Sequence, residues 1–538
     1  MNRLDHWAAF RVPAMRHEAH FGERIVRCFA ERPHSFHAMF EAALAAHGER
    51  RAVLFNGASR SYRELDREVG SIAAGMARHG VERGDRVVMF IGNRPEFVSV
   101  LLAIQRLGAI AVPVGIREQR PGLAYMLRQS GAKAIVFDAA LAAVLPPAEE
   151  APGVTLRICV DDGNAGALAL SALGRGLAPV MAAAPVREED TAVLLYTSGT
   201  TGNPKGAMLS HFNIVHSAMH YQACFGLDHN DCAGLAVPAS HVTGLIAVIA
   251  AMLRVGGAML IFSAFQAEEF VAVAAKERMT YTLMVPAMYN LCLLRGRMEA
   301  HDLSAWRIGG FGGAPMPPST VEAMARQLPG LALVNAYGAT ETTSPTTAVP
   351  PGTSVAGNDS VGVALPCASV IVVDDDGVEV PAGVSGELWI GGPMVVRGYW
   401  DNQEATAAGF TAGYWHSGDI GAMDENGFVR IFDRKKDMLN RGGYKIYSAE
   451  VENVLMALPG VLEAAVVGKP CPVLGERVHA FVYAPGGAVD ADAVRSHCAA
   501  RLADYKVPEE ITLMDAPLPR NANGKLLKRQ LRERAAGA

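Results

Sequence analysis

Between Tyr196 and Met208 the chain reads YTSGTTGNPKGAM, a run of small and hydroxylated residues around one lysine. Backbone amides in a glycine-rich loop can cradle phosphate oxygens, and a lysine beside them neutralises the charge. Thr197, Ser198, Thr200 and Thr201 add hydroxyl donors, Gly199 allows close approach, and Lys205 is the cation. A plain surface turn is the competing explanation, but turns seldom combine so many donors with a lysine. Neither familiar phosphate motif fits. Asn203 and Pro204 precede Lys205 and Gly206 follows it, while Gly524-Lys525 is followed by Leu526, so the P-loop spacing fails twice. No G-x-G-x-x-G sits in a strand-to-helix turn, which argues against a nicotinamide dehydrogenase.

The neighbouring elements must aim that loop. AVLLY predicts a strand before it, and Ser210 predicts an N-cap for a helix starting HFNIVHSAMHY, so the loop reads as strand–loop–helix. From about Ser61 helix and strand signals alternate: a helix closed by Gly80, then strand DRVVMFIG, helix RPEFVSVLLAIQRLG and strand AIAVPVGI. Such alternation predicts α/β architecture with a mostly parallel sheet. WRIGGFGGAPMPPSTVEAMARQLPG predicts a strand, a glycine turn and a helix opened by Pro317 and Pro318, and LALVNAYGATETT a strand emptying into a polar loop. Short apolar runs separated by turns between Ser360 and Gly392 predict a β-rich subdomain. Past Asp433 a compact α+β unit is expected, with Ser448 capping a helix, strands AAVVG and HAFVYA, a helix near DAVRSHCAARLADY and strand ITLM. The greasy stretch from Gly244 to Arg254 is about ten residues, spanning about 15 Å as a helix, half a bilayer core, and so predicts a buried helix.

YTSGTTGNPKG resembles the signature loop of the adenylate-forming superfamily, which includes acyl-CoA synthetases, peptide-synthetase adenylation domains and firefly luciferase. PASHVTG, GGAPMP, NAYGATETT, WHSGDIG, FDRKKDMLNRGGYKIYSAEVE and PRNANGKLLK follow in the family's order, together spanning Tyr196 to Lys528. The resemblance implies a large N-terminal domain of α/β subdomains plus the β-rich subdomain, residues 1–433. A small mobile α+β lid, residues 434–538, would turn about Lys436. It implies that a carboxylate attacks the α-phosphorus of ATP, pyrophosphate leaves, and the thiol of coenzyme A then displaces AMP.

On that resemblance Lys205 and Thr197 to Thr201 hold the β- and γ-phosphates, Thr340 contacts phosphate, and Glu341 takes Mg²⁺, a hard cation suited to carboxylate oxygens. Ala336, Tyr337 and Gly338 lie by the nucleotide, with Tyr337 against adenine and Gly313, Ala314 and Pro315 on the other wall. Asp419, assisted by Arg434, accepts both ribose hydroxyls, as an acceptor-only group suits a vicinal diol. Lys525 is the expected adenylation catalyst, and Lys436 serves at the hinge beside the nucleotide. Gly442 and Gly443 line the tunnel for the pantetheine arm. His241 gates the substrate carboxylate, with Val242, Gly244, Met284, Phe311 and Ala336 forming the acyl pocket. Read alone, Glu341 is a solvated loop acid, Lys525 a surface lysine, and Tyr337 and His241 core residues.

No acid lies between Pro238 and Arg254, so an amino acid substrate, which needs a partner for its ammonium, is disfavoured. The pocket residues are apolar or small and offer no arginine clamp, which favours an aliphatic or aryl monocarboxylate. No carrier domain is fused, so free coenzyme A is preferred to a carrier protein's pantetheine as acceptor; a luciferase-type oxygenase and a catalytically dead scaffold rank lower. Cys471 stands where relatives usually have aspartate, and Asn440 where some have lysine. The net charge of -5 gives no electrostatic reason to expect nucleic acid. Eight scattered cysteines without a C-x-x-C pair, and a start lacking a signal-peptide core, lead to an expectation of reduced thiols in the cytoplasm. Monomer and homodimer both stay open.

Overall fold

The structure, a computed structural model, describes residues 6–162, 166–197, 203–353, 359–487, 489–520 and 526–537. The chain divides into two compact units. One holds the chain up to Val370 with Ile390–His416 and Asn426–Phe428; the other holds Ile371–Trp389, Ser417–Glu425 and the chain from Val429 onward. This division assigns Ile371–Trp389, Ser417–Glu425 and residues 429–433 to the C-terminal unit, where the sequence motifs suggest a single cut at 433/434.

The first unit is built on two sheets. Its seven-stranded sheet runs in the order Lys205–Ser210, Thr191–Thr197, Ile110–Pro113, Arg86–Phe90, Ala134–Phe137, Leu156–Cys159, Leu168–Ala169. All its pairings are parallel except that of the first two strands. The nine-stranded sheet runs Val363–Ala364, Ser344–Ala348, Ala332–Ala339, Ile308–Phe311, Tyr281–Met284, Cys232–Leu235, Ala258–Ile261, Arg51–Phe55, Ala58–Ser61. Its six middle strands are parallel, and antiparallel partners close both edges. Helices supply the remaining layers. Tyr62–Arg78 starts in a capping box of Ser61 and Glu64 and is followed by Gly80 at φ +82°, and Pro95–Arg106 follows strand Arg86–Phe90 as the periodicity predicts.

Two local predictions need correction. Residues 205–210 form a strand antiparallel to Thr191–Thr197, so the glycine-rich segment joins a hairpin and does not lead straight into a helix. Ser210 nonetheless caps helix His211–Cys224, in a capping box with Asn213. The greasy stretch is buried and helical, but Thr243–Ala250 is a π-helix that tightens into α-helix only over Ala251–Val255. Gly244 explains part of this: a Cβ there would lie 2.4 Å from the Pro238 carbonyl oxygen, so the helix start approaches that turn as only glycine can. Among the described residues no helix is long and apolar enough to cross a membrane.

The second unit carries most of a five-stranded sheet ordered Ser369–Val373, Gly386–Gly391, Tyr414–Met423, Phe410–Thr411, with Val429–Arg434 on Tyr414–Met423. This is the β-rich region expected from its turns. The α+β part has strands Glu463–Cys471 and Gly475–Tyr483 in one long hairpin, with Glu510–Met514 parallel to the latter. Helices Ser448–Met456 and Ala491–Ala499 contribute Val451, Leu455, Val494 and Cys498 to its core. Ser448 does not cap its helix; it is the first helical residue, its amide and hydroxyl both donate to Asp433, and its oxygen accepts from Lys528 at 2.7 Å. Buried Asp433 thereby joins the end of strand Val429–Arg434 to the helix.

Candidate active site

The parallel strands of the nine-stranded sheet bring two of the expected acyl-pocket residues, Met284 and Phe311, to one rim. Met284 pairs with Phe311, and Phe311 with Asn335, so Met284 and Phe311 lie side by side at the C-terminal ends of adjacent strands and pack in one core, whereas Ala336, one residue past Asn335 on the next strand, packs in another. Crevices outside such strand ends are where α/β sheets bind ligands. All three are buried. The π-helix, which brings Val242 and Gly244, packs against strands Tyr281–Met284 and Ser344–Ala348. His241 precedes it. The ring is exposed, yet the surrounding protein is dense enough that desolvation pushes its pKa down. Its Nδ1 accepts from the Thr243 amide at 3.3 Å, which leaves Nε2 as the protonated nitrogen of a neutral imidazole.

Past Phe311 the chain turns through Gly312 and Gly313. A Cβ on Gly312 would meet the Ala336 carbonyl oxygen at 2.3 Å, and Gly313 sits at φ +77°, so this turn demands both glycines. Gly313, Ala314 and Pro315 are exposed there. Strand Ala332–Ala339 continues beyond the predicted exit and pairs antiparallel with Ser344–Ala348 across a bulge at Tyr337/Gly338. Gly338 is squeezed by its partner strand: a Cβ would fall 1.5 Å from the Ser344 carbonyl oxygen. Tyr337 is half-buried against Ile390, Met394, Val395 and Trp415.

The tight link from Thr340 to Thr343 carries the acid. Thr342 Oγ1 accepts from the Ala339 amide at 2.9 Å and donates to the Ser344 carbonyl at 3.1 Å, while Thr343 and Ser344 take positive φ values of 50° and 90°. Non-glycine residues rarely do so, and the hydroxyl bonds, with Tyr221 Oη 2.8 Å from Ser344 Oγ, hold the turn in place. Glu341 is 9 % exposed, and the Tyr399 phenol donates to its Oε1 at 2.9 Å. Above the Tyr399 ring, at 5.3 Å from its centroid, lies Lys205 Nζ. Thus the lysine that opens strand Lys205–Ser210 and the acid of the YGATETT motif meet on one aromatic ring. Tyr399 has no counterpart in the sequence reading; its only local signal is an aromatic after Gly398 in RGYW.

Thr197 ends the preceding strand, its hydroxyl 3.5 Å from the Lys205 carbonyl. Ser198, Gly199, Thr200, Thr201 and Lys525 lie outside the described residues.

In the second unit Asp419 and Arg434 are register partners on antiparallel strands, and Arg434 Nε lies 2.8 Å from Asp419 Oδ1. The carboxylate is buried and the guanidinium half-exposed. Exposed Lys436 sits in a turn whose carbonyl accepts from Arg532 at 2.9 Å. Gly442 and Gly443 form the two-residue loop of a hairpin between Leu439–Arg441 and Tyr444–Ile446, at φ +59° and +90°. That conformation by itself requires glycine. Asn440 is integral to it, accepting from the Gly443 amide through Oδ1 at 3.2 Å. Cys471 lies at the end of its strand beside the Val473 and Leu474 amides, which lower its thiol pKa, Leu474 foremost.

The donor set at Glu341 and Thr340 is all oxygen, which fits Mg²⁺. One carboxylate and a hydroxyl fall short of a full octahedral shell, as expected for an ion bound largely through substrate phosphates.

Comparison with known proteins agrees with this architecture. The AMP-binding enzyme family matches residues 40–400, and the AMP-binding enzyme C-terminal domain matches residues 450–525. A feruloyl-CoA synthase from Amycolatopsis sp is 36 % identical over 485 residues, covering 90 % of this chain and 95 % of the relative. The long-chain-fatty-acid–CoA ligase FadD13 of Mycobacterium tuberculosis is 32 % identical over 475 residues, covering 88 % and 92 %. Among solved structures, ATP-bound MatB from Rhodopseudomonas palustris superposes with a TM-score of 0.84 at 30 % identity, covering 93 % of this chain and 99 % of that one. The o-succinylbenzoate CoA synthetase MenE of Bacillus subtilis, in complex with its acyl-adenylate, gives 0.83 at 27 %, covering 93 % and 98 %. With this fold, these strand-end residues and these relatives, the chain belongs to the AMP-binding, adenylate-forming enzymes and is an AMP-forming carboxylate–CoA ligase.

Proposed function

We propose that the enzyme activates an apolar monocarboxylic acid, aryl or aliphatic, and transfers its acyl group to free coenzyme A. The observation that carries the reading is the meeting of Lys205 and Glu341 on the Tyr399 ring, in a unit whose parallel strand ends also bear buried Met284 and Phe311. A cation and a carboxylate poised together suit an anion attacking a polyanion, where catalysis is chiefly charge management.

In the first half-reaction a carboxylate oxygen forms a bond to the α-phosphorus, the bond from that phosphorus to the bridging oxygen of pyrophosphate breaks, and pyrophosphate leaves. Lys205 and the hydroxyls of Thr197, Ser198, Thr200 and Thr201 hold the outgoing phosphates. Glu341 and Thr340 would hold Mg²⁺, which supplies further neutralisation of phosphate charge when bound. Neutral His241 stands by the acid's carboxyl group, Tyr337 lies against adenine, and Asp419, oriented by Arg434, accepts the ribose hydroxyls. Lys525 stabilises the charge developing between the carboxylate and the α-phosphate. In the second half-reaction the coenzyme A sulfur attacks the acyl carbon and AMP departs. We assign this step to a second orientation of a lid comprising residues 434–538, with the hairpin at Gly442 and Gly443 along the pantetheine arm and Lys436 at the pivot.

The apolar lining and the feruloyl and long-chain relatives support the substrate class. Eight free, buried cysteines suit action in the reducing cytoplasm. The test is pyrophosphate and AMP release from ATP and Mg²⁺ with hydroxycinnamates, benzoates and a fatty-acid length series, each with and without coenzyme A. AMP release that needs both an apolar acid and coenzyme A supports the reading. Pyrophosphate release without turnover by free coenzyme A points instead to a carrier-protein acceptor, and activity confined to dicarboxylates or amino acids overturns the substrate class.

A further inference from the structure

We propose that Tyr399 is a positioning residue for Glu341, seated on a strap, residues 393–400, that holds the main chain and the side chain of that acid at once. The inference rests on the reading of Glu341 as the Mg²⁺ carboxylate.

The strap has little secondary structure of its own and is fixed from three sides. Asn213, in the capping box of helix His211–Cys224, donates through Nδ2 to the carbonyls of Pro393 at 2.7 Å and Val395 at 3.1 Å. Arg24, buried, spreads its guanidinium over the carbonyls of Val395, Val396 and Arg397 at 3.1–3.3 Å. A guanidinium spending its donors on three successive carbonyls clamps a main chain. Further along, the Met208 amide donates to Gly398, the Trp400 amide donates to Gly206, and Tyr399 bridges Ala207. The strap thus adds to the strand that Lys205 opens.

It reaches Glu341 twice. The Val396 amide donates to the Glu341 carbonyl at 2.9 Å, and the Tyr399 phenol to Oε1 at 2.9 Å. The phenol's aim is fixed in turn. The Tyr399 amide donates to Thr406 Oγ1 at 2.9 Å, Gly398 takes φ +152° so that the chain can pass Thr406, and Phe410 meets the Tyr399 ring edge-on at 5.7 Å. Burial, reinforced by the facing carboxylate, pushes the phenol pKa up, so it remains a donor.

The physical consequence is preorganisation. A glutamate side chain gives up considerable rotamer freedom to take one geometry, and that cost otherwise falls at the moment of ion binding. The phenol imposes the geometry beforehand, and its ring carries Lys205 at the same time, so the phosphate-binding cation and the acid share one support.

The test uses the full-length enzyme with Tyr399→Phe, which keeps the ring and removes the hydroxyl. Two quantities are measured: the Mg²⁺ concentration for half-maximal pyrophosphate release at saturating ATP, and Mn²⁺ affinity by electron paramagnetic resonance with a non-hydrolysable ATP analogue. Expected is a roughly tenfold weakening of both, the scale of one hydrogen bond to a charged group, with KM for the acid unchanged. If Tyr399→Phe leaves both at wild-type values while Glu341→Gln shifts them, the positioning role is overturned and the reading of Glu341 stands. If Glu341→Gln also shifts neither, that reading falls and this inference with it. Should Tyr399→Phe not fold, Thr406→Val, which loosens the strap without touching the phenol, carries the test: weaker Mn²⁺ binding supports the role and unchanged binding overturns it.

Discussion

Glu341 and Asp419 are both buried carboxylates in the nucleotide machinery proposed here, yet the two units hold them by opposite means. Asp419 faces a guanidinium on the adjacent strand, a pair set by sheet register and only fifteen positions apart (434 minus 419). Glu341 accepts from the phenol of a distant strap, whose ring carries Lys205 on its face. The lesson is one of placement. A carboxylate paired by strand register has its partner set by the local sheet, while one held by a strap from far along the chain has its geometry set by the tertiary fold.

The sharpest way to break that comparison is to remove each acid. Glu341→Ala should cut the rate of pyrophosphate release by about 10²–10³-fold, the scale of losing one electrostatic contact to the transition state. Asp419→Ala should act mainly on ATP, raising its KM about tenfold, the order of lost charged hydrogen bonds. Steady-state kinetics checks both, and a KM effect at Glu341 with a kcat effect at Asp419 would reverse the assignment.

Two glycines sharpen the contrast in stability. Gly338→Ala drives a methyl group into the Ser344 carbonyl, within the turn that carries Glu341, so it should destabilise the protein by about 1–3 kcal/mol and depress adenylation. Gly443→Ala meets no atom within 4 Å and suffers only its φ of +90°, a cost of about 1–2 kcal/mol, and should leave pyrophosphate release intact. Thermal denaturation with the half-reaction assay separates them.

A smaller and graded effect is expected in acid. Desolvation lowers the pKa of His37 and His216 to about 3 and of His211 and His220 to about 4, all in the first unit. Their unfolded value is near 6.5. The unfolded chain therefore binds more protons below pH 6.5, and stability falls as pH drops from there towards 4 and 3. Hydrogen-exchange protection across residues 211–224, taken relative to the intrinsic exchange rate at each pH, should fall over that window. Unchanged protection down to pH 4 would show that these imidazoles accept protons without opening the fold.

Much of this was legible from local signals. Helix Tyr62–Arg78 advertises its capping box, Pro95–Arg106 its apolar face, and the order of motifs from Tyr196 to Lys528 marks the family. The π-helix was legible only as a buried helix, because hydropathy reports burial and not hydrogen-bond register; the close approach of Gly244 to Pro238 is a tertiary fact. The strand after the glycine-rich loop was missed because KGAMLS is too short to show a strand period and Ser210 signals the helix beyond it. Ser448 looked like a cap because its partner, Asp433, lies outside the helix.

By itself the sequence determined the chemistry's ingredients: a lysine among hydroxyls, an acid after YGAT, an aspartate before its arginine, and apolar runs of the right period. These depend on neighbours within a few residues, where spacing and propensity speak directly. The tertiary structure alone decided that Met284 and Phe311 share one rim, and that Tyr399 stands between Lys205 and Glu341. Such meetings depend on which strands pair and in what register, and pairing is settled by burial over the whole sheet, which no short window of residues can carry.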